Sequence, residues 1–289
     1  MQIDKQKLFD IVKEGGALFR NREEAAHITV KGVSDYVTQV DFHVQELIRT
    51  RLMREWPQVQ FMGEEKDNSD NDFTKAVWIL DPVDGTTNLI HDFRQSAVSL
   101  ALYDGGEPVC GVVYQPYTEE LFFAETGKGA FLNGKPIHVS GAKTMGECLI
   151  SIGTAPYEHE YADRNFDLFK RIFLDCQDIR RLGSAAIDLA YVACGRIDAF
   201  FEMNLKPWDF AAGRILVEEA GGTVTDFAGN SPDFRKKGSI LGSNGAIGKL
   251  LVKQYMNIRT SLDRCPCRRQ NKSRNTNDEF TEGNAENES

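Results

Sequence analysis

Apolar positions near the front of the chain recur every three or four residues. Leu8, Ile11, Val12, Leu18 and Phe19 form one stripe, and Val40, Val44, Leu47, Ile48 and Leu52 form another. A period near 3.6 with polar residues between predicts two amphipathic helices, each with one face to bury. VQFMGEE and AVWILD follow a different pattern: each is a short apolar run ending in carboxylates, as expected of a strand buried on both faces. Between residues 97 and 140, runs such as AVSLALY and PVCGVVY are separated by turn residues, Asp104-Gly105-Gly106 and Asn133-Gly134. That pattern predicts an antiparallel meander.

From about residue 147 the predicted elements alternate. ECLISIG, DAFFEM, TVTDF and SILGSN predict strands, and FDLFKRIF predicts a helix. SAAIDLAYVACG predicts a helix capped by Ser184 and ended at Gly195. WDFAAGRILVEEAGG predicts another, capped by Asp209 and ended at Gly221, and residues 245–259 predict a last helix. The expected organisation is an α+β half over residues 1–142 packed on an α/β half over 143–261, with ligands in the crevice at the strand ends. Residues 262–289 stand apart. Arg264, Arg268, Arg269, Lys272 and Arg274 precede Asp278, Glu279, Glu282, Glu286 and Glu288, with Phe280 the one aromatic. Such a segment buries too little apolar area to offset its ordering entropy, so a disordered polar tail is expected.

Composition narrows the function. The chain has 289 residues, 41% hydrophobic and 27% charged, within the globular range. A formal net charge of −9 argues against a nucleic-acid partner held by phosphate contacts. It leaves room for a phosphorylated small molecule, because bound divalent cations reverse the local sign. With no run of about 18 apolar residues and no apolar leader, a cytoplasmic protein without a membrane partner is expected. Six cysteines are too few and too scattered for a disulfide scaffold. Cys110, Cys148, Cys176 and Cys194 read as small buried hydrophobes, and Cys265 and Cys267 as a free thiol pair.

The candidate chemistry is carboxylate chemistry. Glu64 and Glu65 close the first strand, Asp81 and Asp84 flank Pro82 and Val83, and Asp209 opens a distant helix. Taken singly, these are a solvated turn, a turn composition and a helix cap. Taken together they offer hard oxygen ligands for magnesium, with a bridging carboxylate where two ions lie close. Gly85 and Thr86 would present bare backbone and a hydroxyl to a phosphate oxygen. His91 reads as a packed loop histidine, Arg180 and Arg181 as a solvated pair at a strand end, with a face toward substrate or a subunit interface as the alternative, and Lys206 as an outer phosphate or hydroxyl contact.

WILDPVDGTTNLIHDF at residues 78–93 and WDFAAGRILVEEAGG at 208–222 resemble the two signatures of the inositol monophosphatase family, the magnesium-dependent, lithium-sensitive phosphomonoesterases. GEE, SDYVTQVD, RRLGSAAIDLA and FEM extend the resemblance from about residue 5 to 259. It implies a layered αβαβα sandwich of the inositol monophosphatase and fructose-1,6-bisphosphatase type, usually dimeric. It also implies Mg2+ held by Glu64, Asp81 and the Val83 carbonyl, and a second ion held by Asp81, Asp84 and Asp209. A weaker third site would lie near Glu64 and Asp41. Asp41, Thr86 and Glu64 would activate the attacking water. The phosphorylated polyol or sugar would meet Asp84, Gly85, Thr86, Gly183, Ser184, Ala185, Glu202 and Asp209. Lys31 would lie in a segment that folds over the third ion. The implied activity is inositol-1-phosphate hydrolysis. Fructose-1,6-bisphosphatase, histidinol phosphatase, 3′-phosphoadenosine 5′-phosphate phosphatase and a non-catalytic regulatory binding protein are the alternatives.

Overall fold

The computed structural model describes residues 3–256. The expected polar tail and the Cys265 and Cys267 pair lie outside the described residues. The first stripe forms helix α1 (Lys5–Ala17), capped by the Asp4 carboxylate, which accepts from the Gln6 and Lys7 amides. A short α2 (Arg22–Ala25) leads into a hairpin, β1 (Ile28–Gly32) and β2 (Asp35–Thr38), and then into α3 (Gln39–Glu55), the second stripe. Thr38 caps α3 and Asp41 closes its capping box.

Strands β3 (Gln60–Gly63) and β4 (Val77–Asp84) pair in parallel, so their carboxylate-bearing ends emerge side by side. The five-residue helix α4 (Thr86–Ile90) follows, and β5 (Ala97–Asp104), β6 (Glu107–Gln115), β7 (Glu120–Glu125), β8 (Ala130–Leu132) and β9 (Lys135–Ile137) continue antiparallel. Together β3 to β9 make one seven-stranded sheet in sequence order.

The second sheet is built from β10 (Leu149–Ile152), β11 (Asp178–Arg180), β12 (Ala199–Leu205), β13 (Thr223–Thr225) and β14 (Gly238–Ser243), in the order β11-β10-β12-β14-β13. Helix α5 (Ala162–Asp175) joins β10 to β11. Helices α6 (Ala185–Ala193) and α7 (Pro207–Glu219) flank β12, and α8 (Ala246–Leu251) runs into a π-helical turn, Val252–Met256. Ser184 caps α6 as expected. Asp209 does not cap α7. Lys206 holds the cap position, and Asp209 sits a turn inside and accepts from the Lys206 amide at 2.7 Å.

Alternation along β4 explains the layering. Val77 and Ile79 join a core shared with α6 and α7, while Trp78 and Leu80 join a core shared with α1 and α3. On β12, Phe200 faces the α6–α7 core, and Ala199 and Phe201 face a third core with α5 and α8. Each sheet is therefore covered on both faces, and the order is helix, sheet, helix, sheet, helix: the αβαβα sandwich. Cys110 and Cys148 are buried, whereas Cys176 and Cys194 are half-buried at the ends of α5 and α6. No described helix is long and apolar enough to cross a membrane.

Candidate active site

Three segments bring four carboxylates to one pocket. Glu64 follows β3, Asp81 and Asp84 end β4, and Asp209 stands in the first turn of α7; all four line the pocket. Between Asp81 and Asp84 the pairing with β5 slips at a bulge, which holds Pro82 and Val83. A bulge of this kind re-aims side chains, and here both aspartates face the pocket from one strand. Gly85 then turns into α4 at φ 91°, and its backbone passes so close to the Gln95 and Gly183 carbonyls that a Cβ would sit 2.9 and 3.1 Å from them. No L residue fits that corner without strain.

Each carboxylate has its own local donors. Asp81 accepts from the Val83 amide at 3.0 Å. Asp84 accepts from the Ser184 hydroxyl at 2.5 Å and the Ala186 amide at 2.7 Å, tying β4 to the start of α6. Glu64 has Lys206 at 3.7 Å. Its neighbour Glu65 turns away to Lys31 on β1, while the Gln45 amide brackets the Glu65 backbone at 2.9 and 3.0 Å. Gln45 thus decides which glutamate of GEE faces the pocket.

Burial dominates the electrostatics. It raises the Glu64 carboxyl to about 7 and the Asp84 carboxyl to about 6, the latter against the pull of its Ser184 and Ala186 donors. Asp81 and Asp209 are pushed well above the usual range, by burial first and then by the neighbouring acids. Among the described residues, no three acidic, His or Cys side chains are closed around a common point as a finished metal shell. The donor set itself is all carboxylate and carbonyl oxygen with excess negative charge, which fits a hard divalent cation.

Asp41 and Thr86 do meet: the Thr86 hydroxyl lies 2.9 Å from Asp41 Oδ1 and 3.1 Å from the Val83 carbonyl. Asp41 is buried behind Thr86, with its other oxygen taken by Thr38, and it does not line the pocket as Thr86 does. Gly85, Gly183, Ala185 and Glu202 line the pocket, and Ser184 lies behind it with its hydroxyl on Asp84. Glu202 accepts from the Ala155 amide at 2.9 Å, and burial raises it to about 7. His91 is exposed at the end of α4, away from the pocket.

Several lining residues escaped the sequence reading, Asp188 among them. Asp188 sits inside the apolar run of α6, buried, with the Ser151 hydroxyl at 2.5 Å. A lone carboxylate in SAAIDLAYVA was the available signal, since a buried charge needs a purpose or a partner. The expected solvated pair Arg180 and Arg181 is split. Arg180 pairs with Asp178, and Arg181 lines the pocket.

Residues 5–260 match the model of the inositol monophosphatase family. The chain belongs to that family. Among its relatives, the inositol-1-monophosphatase of Rhizobium meliloti is 40% identical over 243 residues, 83% of this chain and 91% of that one. The Nus factor SuhB of Escherichia coli K12 is 38% identical over 242 residues, 83% and 90% of the two chains. Solved structures of family members agree in fold. The extragenic suppressor protein suhB of Bartonella henselae superposes at a TM-score of 0.83 with 36% identity, covering 89% of this chain and 99% of that one. The IMPase of Thermotoga maritima gives 0.77 with 35% identity, covering 87% and 96%. The family resemblance drawn from the two signatures therefore holds along nearly the whole chain.

Proposed function

We propose that this protein is a magnesium-dependent phosphomonoesterase acting on inositol 1-phosphate or a closely similar polyol phosphate. The observation that carries the reading is the convergence of Glu64, Asp81, Asp84 and Asp209 on one pocket beside the Gly85 corner. Glu64, Asp81 and the Val83 carbonyl would hold one Mg2+, and Asp81, Asp84 and Asp209 a second. When bound, the cations supply charge neutralisation at the phosphoryl oxygens and a lowered pKa for water. The protein's own groups do the rest. Gly85 and Thr86 receive the phosphate at the start of α4. The Thr86 hydroxyl, oriented by Asp41, would hold the attacking water in line, with Glu64 the candidate to take its proton. Water adds to phosphorus, the ester P–O bond breaks, and the polyol oxygen leaves with a proton, giving inorganic phosphate and the free polyol.

Glu202 and the small residues Gly183 and Ala185 form the polyol end. Glu202 accepts hydrogen bonds from ring hydroxyls. A regulatory role through a partner is the second reading, favoured by relatives that carry the name Nus factor. Those relatives also leave the expected absence of nucleic-acid partners without support. The retained carboxylate set favours catalysis. Phosphate release from a panel of sugar, polyol, nucleotide and aryl phosphates, with and without Mg2+, tests the proposal. Magnesium-dependent release that is fastest on inositol 1-phosphate supports it, and inert protein on every ester overturns it.

A further inference from the structure

Two cationic side chains line the pocket among the described residues, Lys206 and Arg181. They are not equivalent. Lys206 is engaged: its ammonium lies 3.7 Å from Glu64 and over the rings of Trp208 and Tyr157, at 5.4 and 5.9 Å. Arg181 is exposed and has one long contact, to the Thr154 hydroxyl at 3.4 Å, and no carboxylate within ion-pair distance among the described residues. Its guanidinium nevertheless does not point away. It folds back over Gly183, so closely that a Cβ there would meet Nη1 at 2.3 Å. Gly183 lines the pocket at the start of α6, so the fork stands over that end of the pocket, near enough to attract Asp84 as well.

The companions of Arg181 at that end are acceptors. Glu202 and Asp188 both line the pocket, and Arg181 attracts both electrostatically. A chamber walled by carboxylates alone satisfies the protons of substrate hydroxyls and leaves their lone pairs without donors. A guanidinium supplies donors in a planar fork suited to two adjacent oxygens.

We propose that Arg181 is a specificity-determining residue, donating its fork to adjacent hydroxyls of a polyol monophosphate while Glu202 accepts from them. This assignment rests on the phosphatase reading above. It makes the substrate class a monophosphate carrying neighbouring free hydroxyls.

The test compares inositol 1-phosphate with 4-nitrophenyl phosphate, which lacks the ring hydroxyls, at saturating Mg2+. Arg181→Gln is expected to lower kcat/KM on inositol 1-phosphate by about tenfold to hundredfold, mainly through KM, and on the aryl ester by less than ~3-fold. Arg181→Lys should recover part of the loss, since it restores charge without the fork. Arg180→Gln, changed at an outward ion pair, should behave as wild type on both esters. Equal losses of Arg181→Gln on both esters, or none on inositol 1-phosphate, overturn the Arg181 assignment alone. Wild-type protein inert toward both esters overturns the phosphatase reading and this assignment with it.

Discussion

Substituting Gly111 by alanine tests whether the sheet positions the chemistry. Gly111 lies on β6, under α7, the helix that carries Asp209. A Cβ there would sit 2.7 Å from the Ala212 carbonyl oxygen and 3.0 Å from the Ala212 Cα, where ordinary contact begins at 3.4 Å. Both partners are main chain, so no side chain can swing aside. Helix and strand must part by roughly 0.4–0.7 Å. Overpacking of this kind costs about 2 kcal/mol, which for a chain of this size lowers the melting temperature by about 4–8 °C. Ala212 is one turn from Asp209 on the same helix, so the shift reaches that carboxylate. Misplacement by half an ångström at a reacting site costs on the order of tenfold in kcat. Thermal melting and magnesium-dependent turnover of an aryl phosphate measure the two effects separately. A Gly111→Ala protein with unchanged melting and unchanged kcat would refute the close approach. Lower stability with full activity would refute the coupling of that approach to Asp209.

Three further outcomes follow from the same geometry. Gly153→Ala would place a Cβ 2.0 Å from the Glu202 Cδ. The carboxylate must then leave its Ala155 amide, and inositol 1-phosphate should lose about tenfold more in kcat/KM than an aryl phosphate; equal kinetics on both would show that Glu202 had not moved. Asp84→Asn should lower turnover by at least ~100-fold while metal-free melting stays level or rises, because one of several crowded charges is gone. Near-wild-type turnover at modest Mg2+ would end the ligand assignment. In chelator, Glu64 and Glu202, raised to about 7, and Asp84, raised to about 6, bind protons more tightly folded than unfolded. Their contribution to stability is full below about pH 4 and is lost as pH rises through 6 to 7, on the order of a few kcal/mol in all. Melting in chelator should therefore fall from pH 5 to pH 7.5, and added Mg2+ should recover it; a rise over that range would contradict the assigned burial.

The elements that sequence pattern reveals are those whose cause is local. The α1 and α3 stripes, the meander of β5 to β9 and the Ser184 cap all follow from spacing, turn residues and a side chain reaching its own helix. Asp209 deceived for the same reason: W-D at a helix start looks like a cap, and only the fold puts Lys206 in that position. The β1–β2 hairpin carries no clear signal. All of β1 is exposed, so no inward face imposes a period on it. Strand β11 is three residues long, too short to show alternation. At the site, the acids of GEE and DPVDGT could be named from sequence, but Gln45, which chooses Glu64 over Glu65, lies on another helix with nothing nearby in sequence to announce it. Arg181 could be read from sequence either as one of a solvated pair or as facing substrate, because its direction depends on the close backbone at Gly183.

The lip formed by residues 154–158 touches the pocket without holding any of its four convergent acids. Glu64, Asp81, Asp84 and Asp209 take their described contacts from β4, α6 and Lys206. The lip is fastened instead through Glu202 at Ala155 and through Glu158, which meets Asn204 and Lys237. Grip and engine meet at Lys206, whose ammonium lies beside Glu64 and over the Tyr157 ring of the lip. Exchanging the lip, with Glu202 kept, would be the economical way to retarget this scaffold to other phosphate esters, because the reacting end would be rebuilt from the same anchors each time.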